Sequence, residues 1–141
     1  MSTNSIISEW QKNNFKPVYW LEGEEEYFID SVMEYAEKKI LSPAEAEFNQ
    51  TVFYGKDANW ADIVNACRRY PMFAQRQVVL LKEAQQMKDL EKLESYIENP
   101  LLSTILVVSY KGKTLDGRSK FSKLIKKKGE VFLSKKIYDN Q

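Results

Sequence analysis

Nucleotide chemistry is suggested at one place in this chain, the segment Gly23-Glu24-Glu25-Glu26-Tyr27-Phe28-Ile29-Asp30. It follows an apolar run and opens a helical pattern, the setting in which α/β proteins hold phosphate on backbone amides. A Walker A loop there reads G-x-x-x-x-G-K-[ST]. Here Phe28 stands for the second glycine, Ile29 for the lysine and Asp30 for the hydroxyl that would hold magnesium. The three glutamates would repel a triphosphate across a Debye length of ~8 Å. They suit the positive end of a helix instead. A second apolar run, Val78-Val79-Leu80-Leu81, carries the same message. A Walker B segment would continue into aspartate and glutamate, the aspartate serving magnesium. This one continues into Lys82-Glu83, and a lysine in that place repels the ion. Gly23, Phe28, Ile29 and Asp30 thus read as a degenerate nucleotide loop, with no cofactor and no metal expected. An α/β nucleotide hydrolase with an atypical phosphate loop remains the enzymatic alternative.

Other catalytic chemistry is restricted by composition. The chain has no histidine and one cysteine, Cys67. There is no imidazole base, no Ser-His or Cys-His pair and no thiolate zinc site. A lone cysteine makes no intrachain disulfide and fits a reducing compartment. Carboxylate, lysine and tyrosine chemistry stays open, but no spacing announces it.

Two other groupings are candidates for binding. Lys111, Lys113, Arg118, Lys120 and Lys123 begin a basic stretch that runs to Lys128. Such a stripe is the electrostatic footprint of a nucleic-acid binder. It is equally the solvated face of a helix, since no aromatic stacking platform interleaves it. The second grouping is Arg69-Tyr70-Pro71-Met72-Phe73-Ala74-Gln75-Arg76. Pro71 ends any helix before it, which puts Met72 and Phe73 on a connector. An adaptable thioether beside an aromatic ring either folds back into the core or plugs a partner's apolar pocket.

The elements that must position these groups follow from periodicity. The 141 residues, 43% hydrophobic and 29% charged, suit one domain with a sizeable core. No apolar run has membrane-spanning length, and Met1 to Ser5 lacks the pattern of a signal peptide. Ile6, Ile7 and Trp10 predict a helix within residues 1–16, part of the same domain. The α/β domain is expected over 17–141. Strands are predicted at Pro17–Leu21, Phe48–Tyr54, Val78–Leu81, Thr104–Val108 and Val131–Leu133. Helices are predicted from Glu25 to Leu41, where Ser42-Pro43 breaks the pattern, and around Trp60 to Cys67 after a cap at Asp57 or Asn59. Further helices carry Leu90, Leu93, Tyr96 and Ile97, then Phe121, Leu124 and Ile125. Strand alternating with helix, with two strands apolar on both faces, predicts a mostly parallel five-stranded sheet covered on both sides. Lys135 to Gln141 follow the closing strand and read as a cut edge within a longer protein.

Several motifs together resemble the N-terminal domain of the delta subunit of bacterial DNA polymerase III, a clamp-loader subunit. They are Pro17–Ile29, Thr51–Gly55, Arg68–Ala84, Tyr96–Pro100 and Arg118–Lys120, in that order and spacing. The resemblance implies an AAA+ fold of the P-loop NTPase type with a decayed nucleotide site, hence no intrinsic catalysis in this domain of a DNA-directed DNA polymerase holoenzyme. It implies a sliding-clamp (beta subunit) contact through the apolar pair Met72-Phe73, with Tyr70 and Pro71 shaping the connector and Arg69 and Arg76 at the rim. Clamp-binding peptides resemble Gln-x-x-Leu-Phe; Arg69 takes the glutamine place here and Met72 the leucine place. It further implies a lid and a collar domain, absent from this chain, that join the other loader subunits. Any DNA contact would be indirect or weak. The expected location is the bacterial cytoplasm, at the nucleoid-associated replisome.

Overall fold

The computed structural model describes residues 3–136. Met1, Ser2 and the run from Ile137 to Gln141 lie outside the described residues. In chain order the elements are α1 (Thr3–Gln11), β1 (Val18–Gly23), α2 (Glu26–Lys39), α3 (Pro43–Asn49), β2 (Gln50–Tyr54) and α4 (Trp60–Cys67). Then follow β3 (Gln77–Lys82), α5 (Glu94–Ile97), β4 (Thr104–Lys111), α6 (Lys120–Lys128) and β5 (Glu130–Ser134). The strands form one sheet in the order β2-β3-β4-β1-β5, and every pairing is parallel.

Strand side chains alternate between two cores, as a period of two requires. Val18, Trp20, Val79, Leu81, Leu106 and Val108 point to the layer containing α4, α5 and α6. Tyr19, Leu21, Val78, Leu80, Ile105, Val107 and Phe132 point to the layer of α1 and α2. Strands buried on both faces read as unbroken apolar runs, and β3 and β4 are such strands. Ile6 and Trp10 of α1 join the second layer, and Trp10 meets Tyr19 edge-on with ring centroids 5.0 Å apart. Among the described residues no helix is long and apolar enough to cross a membrane.

Two sequence expectations need correction, and one open alternative is resolved. Ser42-Pro43 stops α2 but also starts α3. Ser42 Oγ accepts from the Glu45 N–H, and the Glu45 carboxylate accepts from the Ser42 N–H. That is a capping box with proline in the first turn, where its missing N–H does no harm. Phe48 therefore lies on α3, and β2 begins at Gln50. The helix expected around Leu90 to Ile97 is a 3-10 turn, Leu90–Leu93, followed by the single turn of α5; another 3-10 turn, Ala84–Gln86, precedes it. Of the two caps considered for α4, Asn59 serves, its Oδ1 3.0 Å from the Asp62 nitrogen.

Candidate functional site

Because all strands run the same way, the sheet has a carboxyl end and an amino end. Gly23, Lys82-Glu83 and Lys111 close β1, β3 and β4 at the carboxyl end. This is where a phosphate site would stand. The residues of the degenerate loop are committed to structure there. Gly23 has φ +124°, and a Cβ on it would lie 2.1 Å from the Ser134 carbonyl oxygen. Its glycine identity serves the close approach of β5. Glu25 caps α2, its carboxylate accepting from the Tyr27 N–H at 3.2 Å. Phe28 packs against the α1/α2 layer, and Ile29 is fully buried in it. Asp30 reaches across to Lys111, whose ammonium lies 2.7 Å from Asp30 and 2.7 Å from Glu83. An internal cation thus joins Asp30, in the place of the magnesium-binding hydroxyl, to Glu83, which follows the lysine in the place of the Walker B aspartate. Burial presses on the Lys111 ammonium, but the hydrogen bonds it donates to both carboxylates outweigh it and hold its pKa above the usual value. The hydrogen bond from Lys111 holds the Glu83 carboxyl below the ordinary value of 4.5. Beside them Lys82 pairs with Glu37 at 2.6 Å. The adjoining cleft of about 300 Å³ is lined by Asp30, Glu34, Glu37 and Glu83 and by Lys38 and Lys82, whose ammoniums are paired with Glu34 and Glu37. Cys67, sealed in the core, has its thiol pushed up to about 12 by burial, which leaves no thiolate for chemistry.

The amino end carries the connector between α4 and β3. Its start is fixed by Gln77, whose side-chain amide donates to the carbonyl of Arg69 at 2.6 Å and to that of Ala66 at 2.9 Å. Its middle is fixed by Asn49, at the end of α3 and 4% exposed. Asn49 Oδ1 accepts from the Met72 N–H at 2.7 Å, and its Nδ2 donates to the Met72 carbonyl at 2.8 Å. The next residue, Phe73, takes φ +57°, a left-handed conformation that a bulky side chain adopts only when its surroundings impose it. The outcome is an apolar projection: Tyr70 is 76%, Met72 56% and Phe73 95% exposed. Neither Met72 nor Phe73 folds back beneath the connector. Pro71 is half-buried and Arg69 exposed. Arg76 lies over the Phe15 ring, 4.7 Å from its centroid, a cation–π contact that ties the end of the connector to the residues before β1.

The basic residues do not form one surface. Lys111 is taken up in the ion pairs above. Lys113 lies over Tyr110 at 5.3 Å and borders a cleft of about 630 Å³ with Gly23, Glu24 and Lys135. Arg118 pairs with Asp116 on the loop before α6. Lys120 on α6 sits 3.4 Å from both Glu94 and Glu98. Lys123 is exposed on the same helix. Asn49 had no local signal in the sequence, since its partner lies 23 residues away.

Comparison with known proteins agrees with this architecture. The family model described as DNA polymerase III, delta subunit, matches residues 19–135. The DNA polymerase III subunit delta of Bacillus subtilis (strain 168) is 25% identical over 145 residues, covering 94% of this chain and 42% of that protein. The chain therefore spans about two fifths of that curated relative's length. The solved Bacillus subtilis DNA clamp loader delta protein superposes with a TM-score of 0.84 at 23% identity, over 96% of this chain and 43% of that one. A DNA polymerase III gamma subunit-related protein of Thermotoga maritima superposes at 0.61 with 13% identity, over 99% of this chain and 47% of that one. The fold is the parallel five-stranded α/β fold of the clamp loader delta protein. With the family model matched from within β1 to just past β5, the chain belongs to the DNA polymerase III delta subunit family.

Proposed function

We propose that this chain grips the sliding clamp of DNA replication and helps to open it, without hydrolysing ATP itself. Phe73 is the anchor and Met72 the adaptable second contact. Tyr70 and Pro71 shape the projection, and Arg69 and Arg76 flank it. The observation that carries this reading is the exposed Met72-Phe73 pair on a connector braced from beneath by buried amides. Exposed aromatic and thioether side chains on a fixed backbone are what an apolar pocket binds tightly. Opening follows from differential affinity: a partner that prefers the open clamp surface shifts the equilibrium by no more than that preference. The clamp, the beta subunit, is the direct partner. The other loader subunits join through the lid and collar that lie beyond this domain, and DNA contact is weak. The work is done in the bacterial cytoplasm, at the nucleoid.

The test is titration of the cognate clamp protein with wild type and with the double variant Met72→Ala, Phe73→Ala, alongside thermal melting. The variant is expected to lose at least ~30-fold in affinity, the effect of removing a ≥ ~2 kcal/mol anchor. Its melting temperature stays near wild type, because both side chains are already in water. A variant that binds as well as wild type moves the interface elsewhere. Calorimetry with ATP and magnesium separates the hydrolase alternative: no heat of binding is expected, and micromolar affinity would restore it.

A further inference from the structure

We propose that Asn49 is a positioning residue for the Met72-Phe73 projection, setting the backbone geometry in which the pair is offered to the clamp. The inference rests on the clamp-binding reading above. Asn49 makes two hydrogen bonds to one residue, accepting from the Met72 N–H and donating to the Met72 carbonyl at 2.7 and 2.8 Å. One side-chain amide thereby occupies both backbone groups of Met72, as a neighbouring strand would. Nδ2 also donates to the Glu45 carbonyl at 3.0 Å, which locks the amide to α3. Helix α3 is itself fixed at its other end by the Ser42–Glu45 capping box. A rigid bracket thus runs from that cap to the connector.

The bracket acts where the backbone is least relaxed. Phe73 is one of three non-glycine residues with positive φ among those described, at +57°. Left to itself, a phenylalanine there relaxes to negative φ. Holding the preceding peptide on both sides keeps it in place and keeps the ring pointing outward. A free connector would have to be ordered at the moment of binding, and preorganisation removes that loss from the affinity. Asn49 does not need to touch the clamp to do this. It is buried, and it acts through Met72.

The experiment uses this chain, wild type and with Asn49→Leu or Asn49→Asp, and the cognate clamp protein as probe. Leucine keeps the volume and removes every hydrogen bond. Aspartate keeps an acceptor for the Met72 N–H. Two quantities are read: exchange of the Met72 amide with solvent in the free protein, and affinity for the clamp. The Met72 amide is expected to be protected in wild type, partly protected in Asn49→Asp and unprotected in Asn49→Leu. The β3 amides of Val78 to Leu81 stay protected throughout. Affinity is expected to fall in the same order, by about tenfold for Asn49→Leu, the factor that ~1.4 kcal/mol of ordering represents. Affinity that does not follow Met72 protection overturns the inference. Loss of β3 protection together with that of Met72 in both variants also overturns it, because Asn49 would then hold the fold rather than the projection. The double variant Met72→Ala, Phe73→Ala, run beside them, keeps the two claims apart. If it binds normally, the clamp reading fails; if it loses binding while the Asn49 variants do not, only the positioning claim fails.

Discussion

At the carboxyl end of the sheet the charged groups are turned on one another. Lys111 joins Asp30 to Glu83, Lys82 meets Glu37, and Glu25 caps its own helix. At the amino end the polar groups are also spent internally, on Met72 and Arg69, yet the apolar ones are left in water. The difference shows where this domain keeps surface that a partner could cover. A satisfied ion pair has little left to offer a ligand, since leaving it requires desolvating both partners again. An exposed ring on a fixed backbone retains roughly 25 cal/mol per Å² of apolar surface, released when a partner covers it. At one end carboxylates and ammoniums are paired with each other; at the other, apolar side chains project from a hydrogen-bonded backbone.

The contrast can be broken most directly by comparing apolar residues. Leu80→Ala, in fully buried β3, is expected to lose ~2–5 kcal/mol of stability, lowering the melting temperature by roughly ten degrees. The double variant Met72→Ala, Phe73→Ala should melt within about a degree or two of wild type, since truncating exposed side chains shifts stability by ~0.5 kcal/mol or less. Comparable losses in both would return the connector to the core.

The closed end is probed next by Lys111→Met, which leaves Asp30 and Glu83 facing each other without their cation. A loss of about 1.5–3 kcal/mol is expected at pH 7, the value for a hydrogen bond to a charged group and below that for a fully buried pair. The pH dependence sharpens the test. The Glu83 carboxyl is held below 4.5 in the folded state. Its contribution is therefore full above 4.5 and is lost as pH falls through the lowered folded value. Denaturant titrations from pH 7 downward should show wild type losing this advantage on acidification. The difference between wild type and Lys111→Met should shrink with it.

Glu22 gives a smaller effect of opposite sign. It is buried and accepts from the Trp20 indole N–H and the Leu115 N–H, each at 3.0 Å. Desolvation nonetheless raises its pKa. The charged form is thus disfavoured in the folded state, a penalty fully present above the raised folded value and absent below 4.5. Glu22→Gln keeps an acceptor for both donors. It should melt slightly higher than wild type at pH 7 and no higher at acid pH.

The smallest effect concerns the basic helix. Lys120→Glu with Lys123→Glu should change stability by no more than about 0.5 kcal/mol per site and leave clamp affinity nearly as it was. The exposed contacts of Lys120 with Glu94 and Glu98 contribute little. Loss of clamp binding in the folded double variant would place the interface on α6.

The strands were legible because burial on both faces leaves an unbroken apolar run, as in Val78–Leu81 and Thr104–Val108. The departure of Gly23–Asp30 from a Walker A pattern is legible because Phe28, Ile29 and Asp30 are the wrong chemistry at fixed spacing. Other features misled the reading for physical reasons. Pro43 reads as a breaker, yet Ser42 and Glu45 three residues apart already carry the signature of a helix start. Leu90, Leu93 and Tyr96 recur every third residue, a period that suits a 3-10 helix as well as an α-helix. What joins distant segments had no local trace. Nothing around Lys111 announces Asp30, and nothing around Asn49 announces Met72.

The position of β1 in the sheet bears on how the domain comes into being. β1 is complete at Gly23, but its two neighbours are β4 and β5, which end at Lys111 and Ser134. At ribosomal rates of roughly 5–20 residues per second, the 111 residues from 23 to 134 take about 6–22 s to appear. Trp20 and Leu21, fully enclosed in the finished molecule, gain β4 as a first neighbour only when Lys111 is made and β5 as the second only at Ser134. The nascent chain carries this apolar segment at best half-paired until β5 is made. Among its elements, the one synthesised latest decides when the domain exists.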